Sequence, residues 1–286
     1  MDQATASKAE NGVVRSADGT AIGYVKLGVG LPLVIAHGAL CTHEDWMAVA
    51  RELARGFTCY VMDRRGRGAS GDNTRAAYAV DREIEDIQAV LAAAGPGACL
   101  IGHSYGAFCS LLTALRTPVP RLVLYEPPWP IKGAIHARAT AEGPSLIAQG
   151  RSEDAFWVFM GDSMQISRPP LLFLFRALPA SLQARLMPSY VRMIGLMPIT
   201  IREMVAVDRA GPGLERFADL KMPVLLLLGS QSHQPHIRDV TLALAKIVPN
   251  AKLVELKGQG HVAQAQAPKL VASEIAAFLS PNAEVA

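Results

Sequence analysis

Cys99-Leu100-Ile101-Gly102-His103-Ser104-Tyr105-Gly106-Ala107 is the stretch that decides how this chain folds. An apolar run enters it, Gly-His-Ser-Tyr-Gly turns it, and a helix-compatible segment from Ala107 to Leu115 leaves it. The pattern predicts a strand, a sharp turn and a helix, with Ser104 at the apex. A Gly-x-Ser-x-Gly string alone carries little weight in a chain with 24 glycines, and its flanks are what give it meaning. The glycines have a mechanical reason. A serine on so tight a turn takes a strained backbone conformation, and side chains two residues either side would collide with it. The competing reading is an ordinary strand-to-helix turn that happens to hold a serine, and the rest of the chain argues against that.

Upstream, Asp18-Gly19 sits between two extended runs, Val13 to Ser16 and Ala21 to Leu27, a hairpin signal. Leu33-Val34-Ile35-Ala36 is a short unbroken apolar run, as a buried parallel strand requires, and His37-Gly38-Ala39-Leu40 follows it. Glu44 to Arg55 reads as a helix. Phe57 to Met62 is the next strand and ends in Asp63-Arg64-Arg65-Gly66-Arg67-Gly68. Val80, Ile84, Ile87 and Leu91 then recur at helical spacing.

Downstream, Arg121 to Glu126 is a strand closed by Pro127-Pro128. Strand–helix alternation resumes at Val224 to Leu228, with a helix near Ile237 to Ile247 and a strand at Lys252 to Leu256. A loop holding His261 and a last helix with Val271, Ile275 and Phe278 on one face complete it. Such alternation predicts an α/β class with a mostly parallel sheet flanked by helices. The interval 129–217 breaks the pattern: it is rich in Met, Phe, Trp, Leu and Pro, with helical patches and no convincing strand. It reads as a helical cap insertion after the sixth strand, over the strand ends where open α/β sheets bind ligands. The expected division is a disordered tail over 1–12, a core formed by 13–128 with 218–286, and the insertion over 129–217.

Half of the 286 residues are hydrophobic and 19% are charged, which describes a globular chain. The net charge of +3 is small and no Lys/Arg run concentrates it, so nucleic acid is not an expected partner. The four cysteines (Cys41, Cys59, Cys99 and Cys109) lack C-x-x-C spacing and read as small, mostly buried thiols of a reduced cytoplasm. Met1 to Asn11 has no apolar core of a secretory signal, and Pro169 to Phe175 is too short to cross a bilayer. The expectation is a cytoplasmic protein with no membrane span, a homodimer being left open.

In this light the chain resembles the α/β-hydrolases over nearly all of its length after residue 12. The resemblance rests on His37-Gly38, on Asp63-Arg64-Arg65-Gly66-Arg67-Gly68-Ala69-Ser70 and on Gly102-His103-Ser104-Tyr105-Gly106. The long insertion and Gly258-Gln259-Gly260-His261 complete it. It implies the α/β-hydrolase fold, with Ser104 as nucleophile and His261 as the base that an unassisted serine needs. The backbone N–H groups of Tyr105 and Ala39 would form the oxyanion hole. His37 and the Asp63 to Gly68 segment are assigned to loop architecture.

The third triad member departs from the common pattern. Most of the family carries an aspartate just beyond the strand that here ends in Gly229-Ser230-Gln231-Ser232-His233, where Ser232 cannot supply a negative charge. One account moves the acid to Glu126, a carboxylate leaving a buried-looking strand, as in some branches of the family, including certain haloalkane dehalogenases. The other account is a chain with no working acid. Asp239, on the following helix, is a distant third. Glu126 is the reading preferred here.

These residues imply acyl transfer on an ester, thioester or lactone, with no metal and no organic cofactor. Aromatic and Met residues of the insertion, Trp129, Trp157, Phe159 and Met160 foremost, are the substrate-binding candidates and point to a hydrophobic small molecule. Two other readings stay open: cofactor-free perhydrolysis, oxygen insertion or C–C cleavage on the same fold, and a ligand-binding protein with little turnover.

Overall fold

A computed structural model of the chain describes residues 9–73, 78–169 and 172–280. Residues 1–8 of the expected tail lie outside the described residues, as does the side chain of Phe173.

Eight strands form one sheet: β1 (Glu10–Arg15), β2 (Ala21–Leu27), β3 (Leu31–Ala36), β4 (Phe57–Met62), β5 (Cys99–His103), β6 (Leu122–Tyr125), β7 (Val224–Gly229) and β8 (Ala251–Leu256). Their order is β1-β2-β4-β3-β5-β6-β7-β8, with β1 and β2 antiparallel and β3 to β8 parallel. The serine strand β5 is therefore central, between β3 and β6. Asp18-Gly19 does turn the hairpin, with Gly19 at φ 80° and Asp18 Oδ1 accepting the Thr20 amide at 2.9 Å. The first strand begins earlier than expected. Glu10, Asn11 and Gly12 pair with Lys26, Val25 and Tyr24, so the described end of the 1–12 segment is strand and not tail.

The apolar runs are continuous because both faces of the sheet are covered. Along β5, Leu100 joins one core while Cys99 and Ile101 join the other, the period of two that a strand imposes. Helices Val80–Ala94, Tyr105–Ala114 and Pro235–Ile247 cover the first face; Met47–Leu53 and Pro268–Leu279 cover the second. The helix expected over Glu44 to Arg55 opens as a 3-10 turn, His43–Trp46, whose Asp45 accepts the Thr42 amide at 2.8 Å.

Between β6 and β7 the described residues hold six helices: Ala137–Ala148, Ser152–Met164, Leu172–Arg176, Ala180–Leu186, Pro188–Gly195 and Met197–Asp208. Phe156, Phe159, Tyr190, Met197, Met204 and Val207 bury their side chains in the same cluster as Val34 and Leu100. Among the described residues this helical segment has no separate core of its own. It is also tied down by charge: Glu203 lies 2.7 Å from Arg64 and 2.8 Å from Arg67, all three fully buried side chains.

Candidate active site

At the C-terminal end of β5 the chain reverses through Ser104, which takes φ 52° and ψ −124°. Its amide donates to Tyr125 O at 2.9 Å, which fixes the turn against the end of β6. The glycines make the turn feasible. A Cβ on Gly106 would stand 2.2 Å from Ala36 O, and one on Gly102 2.6 Å from Ala107 Cα. The neighbours are backbone atoms that cannot move aside.

Ser104 Oγ lies 3.0 Å from His261 Nε2, and His261 Nδ1 lies 2.5 Å from Glu126 Oε2. Glu126 is fully buried and follows β6 directly, at φ 50°; its amide donates to Leu227 O at 3.1 Å, and its Oε1 accepts the Gly229 amide at 2.7 Å. A carboxylate that accepts from Nδ1–H leaves Nε2 as the acceptor that faces the serine hydroxyl. The geometry thus brings Ser104, His261 and Glu126 into one hydrogen-bonded chain. Ser232 is buried on the next loop, its amide donating to Gly229 O at 3.0 Å; its Oγ has no hydrogen-bond partner among the described residues. Asp239 is elsewhere, paired with Lys132 at 2.5 Å in solvent.

Two residues that the sequence reading did not single out hold the His261 loop. His103 Nε2 donates to His261 O at 2.9 Å. The Tyr125 hydroxyl donates to Gly260 O and accepts the Ala263 amide. Burial holds the His103 imidazole well below its usual range, so it acts as a neutral donor. Their signal was available: each directly precedes a site residue at a strand end.

Ala39 and Tyr105 both line the cavity that Ser104 borders, and neither amide has a protein acceptor among the described residues. The loop carrying Ala39 is held from behind. Arg64 Nε donates to His37 O at 2.9 Å, and its guanidinium also reaches Gly38 O at 3.2 Å. The Arg64 amide donates to His37 Nε2, so the ring's other nitrogen donates to Gly38 O at 2.9 Å. Burial and the nearby Arg64 charge keep His37 well below its usual range and neutral. Asp63, Arg64, Arg65 and Arg67 of this segment thus form a buried brace. Arg65 completes it through two bonds of 2.7 Å to Asp86.

Residues 33–274 match the model of the alpha/beta hydrolase family. The chain belongs to that family. A solved alpha/beta hydrolase from Sphaerobacter thermophilus is 34% identical, with a TM-score of 0.76 over 94% of this chain and 100% of that one. Lipase 1 of Psychrobacter immobilis is 24% identical over 92% of this chain and 82% of its own length. An N-formylmaleamate deformylase of Pseudomonas putida is 38% identical over 40% of this chain, a match spanning 44% of the deformylase. This protein is an enzyme of the alpha/beta hydrolase family.

In this hydrolase a cavity of about 420 Å³ opens between the strand ends and the helical segment, with Ser104, Tyr105, Ala39 and His261 on its wall. Phe159 and Met160 reach it, as do Met164, Met193 and Met204. Trp129 and Trp157 do not. Trp129 is fully buried, meets Phe217 edge-on at 5.1 Å and donates its indole N–H to Gly211 O at 2.9 Å. Trp157 turns its N–H to the Tyr190 hydroxyl at 3.1 Å. Each indole N–H finds its partner away from the cavity. Cavity residues missed in the sequence are His136 and His236, which have no local motif. No helix among the described residues is long and apolar enough to cross a membrane.

Proposed function

We propose that the enzyme is a serine hydrolase that cleaves a carboxylic ester, thioester or lactone of a hydrophobic small molecule through an acyl-enzyme. One observation carries this reading: the continuous Ser104–His261–Glu126 hydrogen-bonded chain opening on a mainly apolar cavity. Ser104 Oγ attacks the carbonyl carbon while His261 Nε2 takes the hydroxyl proton. Glu126, fixed by the Gly229 amide, stabilises the imidazolium. The oxyanion is received by the Ala39 and Tyr105 amides, each donor being worth roughly 3 kcal/mol of barrier in such sites. His261 passes its proton to the leaving alcohol, thiol or ring oxygen. Water, deprotonated by the same nitrogen, then attacks the acyl-enzyme and releases the acid.

A serine at the elbow supports this over epoxide opening or dehalogenation, for which the resemblance implies an aspartate nucleophile. The helical segment acts in this reading as a cap over the acyl group that narrows its access to bulk solvent. The test is intact-mass analysis after treatment with a fluorophosphonate. Prompt addition of one label at Ser104, lost in Ser104→Ala, is expected, followed by turnover on an ester and lactone panel. An N-formyl amide belongs in that panel because one relative is a deformylase. A folded wild-type protein that takes no label would overturn the reading.

A further inference from the structure

The cavity wall opposite the serine is not wholly apolar. His136, which opens onto the cavity and is only 3% exposed, stacks on Phe159 with ring centroids 5.8 Å apart. Its Nδ1 lies 3.3 Å from Asp208 Oδ1. Asp208 is itself fixed by the Ile135 amide at 2.9 Å and the His136 amide at 3.1 Å. A carboxylate so placed accepts Nδ1–H and leaves Nε2 for a hydrogen bond to a ligand. The arrangement repeats the pairing of His261 with Glu126, on the helical segment and without a nucleophile. Four residues along from Phe159, Ser163 borders the same cavity; it is 5% exposed, and its buried Oγ has no protein partner among the described residues. His236 borders the cavity too, 6.3 Å from the His136 ring, with burial pushing it down to about 3 and so keeping it neutral.

We propose that His136, Ser163 and His236 form a recognition subsite for a neutral hydrogen-bonding group, a hydroxyl or carboxamide, that the substrate carries remote from its scissile carbonyl. The proposal rests on the serine-hydrolase reading and refines its substrate class from purely apolar to apolar with one polar terminus. The charge balance of the wall selects against a carboxylate there. Among the described residues the one guanidinium that borders the cavity, Arg192, is already held by both oxygens of Asp45 at 2.6 and 2.8 Å. Burial denies His236 a charge.

The experiment compares kcat/KM for esters of one leaving group whose acyl chains end in methyl, hydroxyl, carboxamide or carboxylate, across a graded series of lengths. At the matching length the hydroxyl or carboxamide ester is expected to exceed its methyl counterpart about tenfold or more. His136→Phe and, independently, Ser163→Ala are expected to collapse that ratio towards one. Because a ratio is read, a general loss of folded enzyme does not imitate the result. No preference at any length, a preference for the carboxylate, or variants that keep the wild-type ratio would each overturn the subsite. Fluorophosphonate labelling of Ser104 in the same samples reports separately on the hydrolase reading. If labelling fails, calorimetric binding of the corresponding unreactive amides to the wild-type protein still decides the subsite, by the same preference or its absence.

Discussion

Glu126 holds His261 and Gly229 at once: one carboxylate oxygen lies 2.5 Å from the imidazole Nδ1 and the other accepts the Gly229 amide at 2.7 Å. The carboxylate therefore reaches from the end of β6 to the end of β7, whose following loop is where the common family pattern would place an aspartate. Ser232 lies on that loop, buried and without a side-chain partner among the described residues. A single carboxylate at this point serves the histidine from either strand.

That relationship predicts the effect of moving the acid. Glu126→Gln keeps the shape but removes the charge, and kcat is expected to fall by about three to four orders of magnitude. Adding Ser232→Asp to that variant is expected to recover part of the loss, read as the rate of fluorophosphonate labelling and as ester turnover. Unchanged labelling in Glu126→Gln would show that the carboxylate does not support the imidazolium.

The Tyr125 hydroxyl ties Gly260 and Ala263, on both sides of His261, to the sheet. Tyr125→Phe keeps the ring stacked on His103, 4.9 Å away, and loses only the two bonds. The expected cost is ~1–3 kcal/mol of stability for the unpartnered amide and carbonyl. A fall of about tenfold in kcat should accompany it, since small displacements of a base are expensive. Thermal unfolding and steady-state kinetics on one preparation test both.

Glu203 joins the helical segment to the loop behind Ala39 through Arg64 and Arg67. Glu203→Ala would leave the buried Arg67 guanidinium without its carboxylate, while Arg64 keeps Glu83 at 3.0 Å, with an expected loss of about 3 kcal/mol. Urea unfolding should show this as a lower midpoint. A midpoint within error of wild type would mean that water reaches the network and replaces the carboxylate.

Three neutral imidazoles, His37, His103 and His236, contribute to the acid side of the stability curve. Burial holds His37 and His103 well below their usual range and pushes His236 down to about 3. In the unfolded chain each titrates at about 6.5 and so binds protons that the folded form refuses. Their contribution is complete above about pH 6.5 and is lost as the pH falls towards the folded values. Stability measured by urea unfolding should decline below that pH, and His236→Gln should flatten part of the decline between about pH 6.5 and 3.

What the sequence determined by itself was whatever short-range pattern encodes. Runs such as Leu33 to Ala36 and Val224 to Leu228 specify strands buried on both faces, and Gly102 and Gly106 specify a turn that no bulkier residue could make. Ser104 and His261 were legible because each sits in a local glycine context. Tertiary structure alone decided the partners. Glu126 meets His261 across 135 residues, and only the adjacency of β6 and β7 puts its second oxygen on Gly229. It also decided which aromatic residues face the cavity: Phe159 does, while Trp129 turns inward to satisfy its indole N–H at Gly211. His136 and Ser163 came to the same wall for a like reason. Helical periodicity states that a side chain lies on a face, and only the packing of one helix against another states what that face meets.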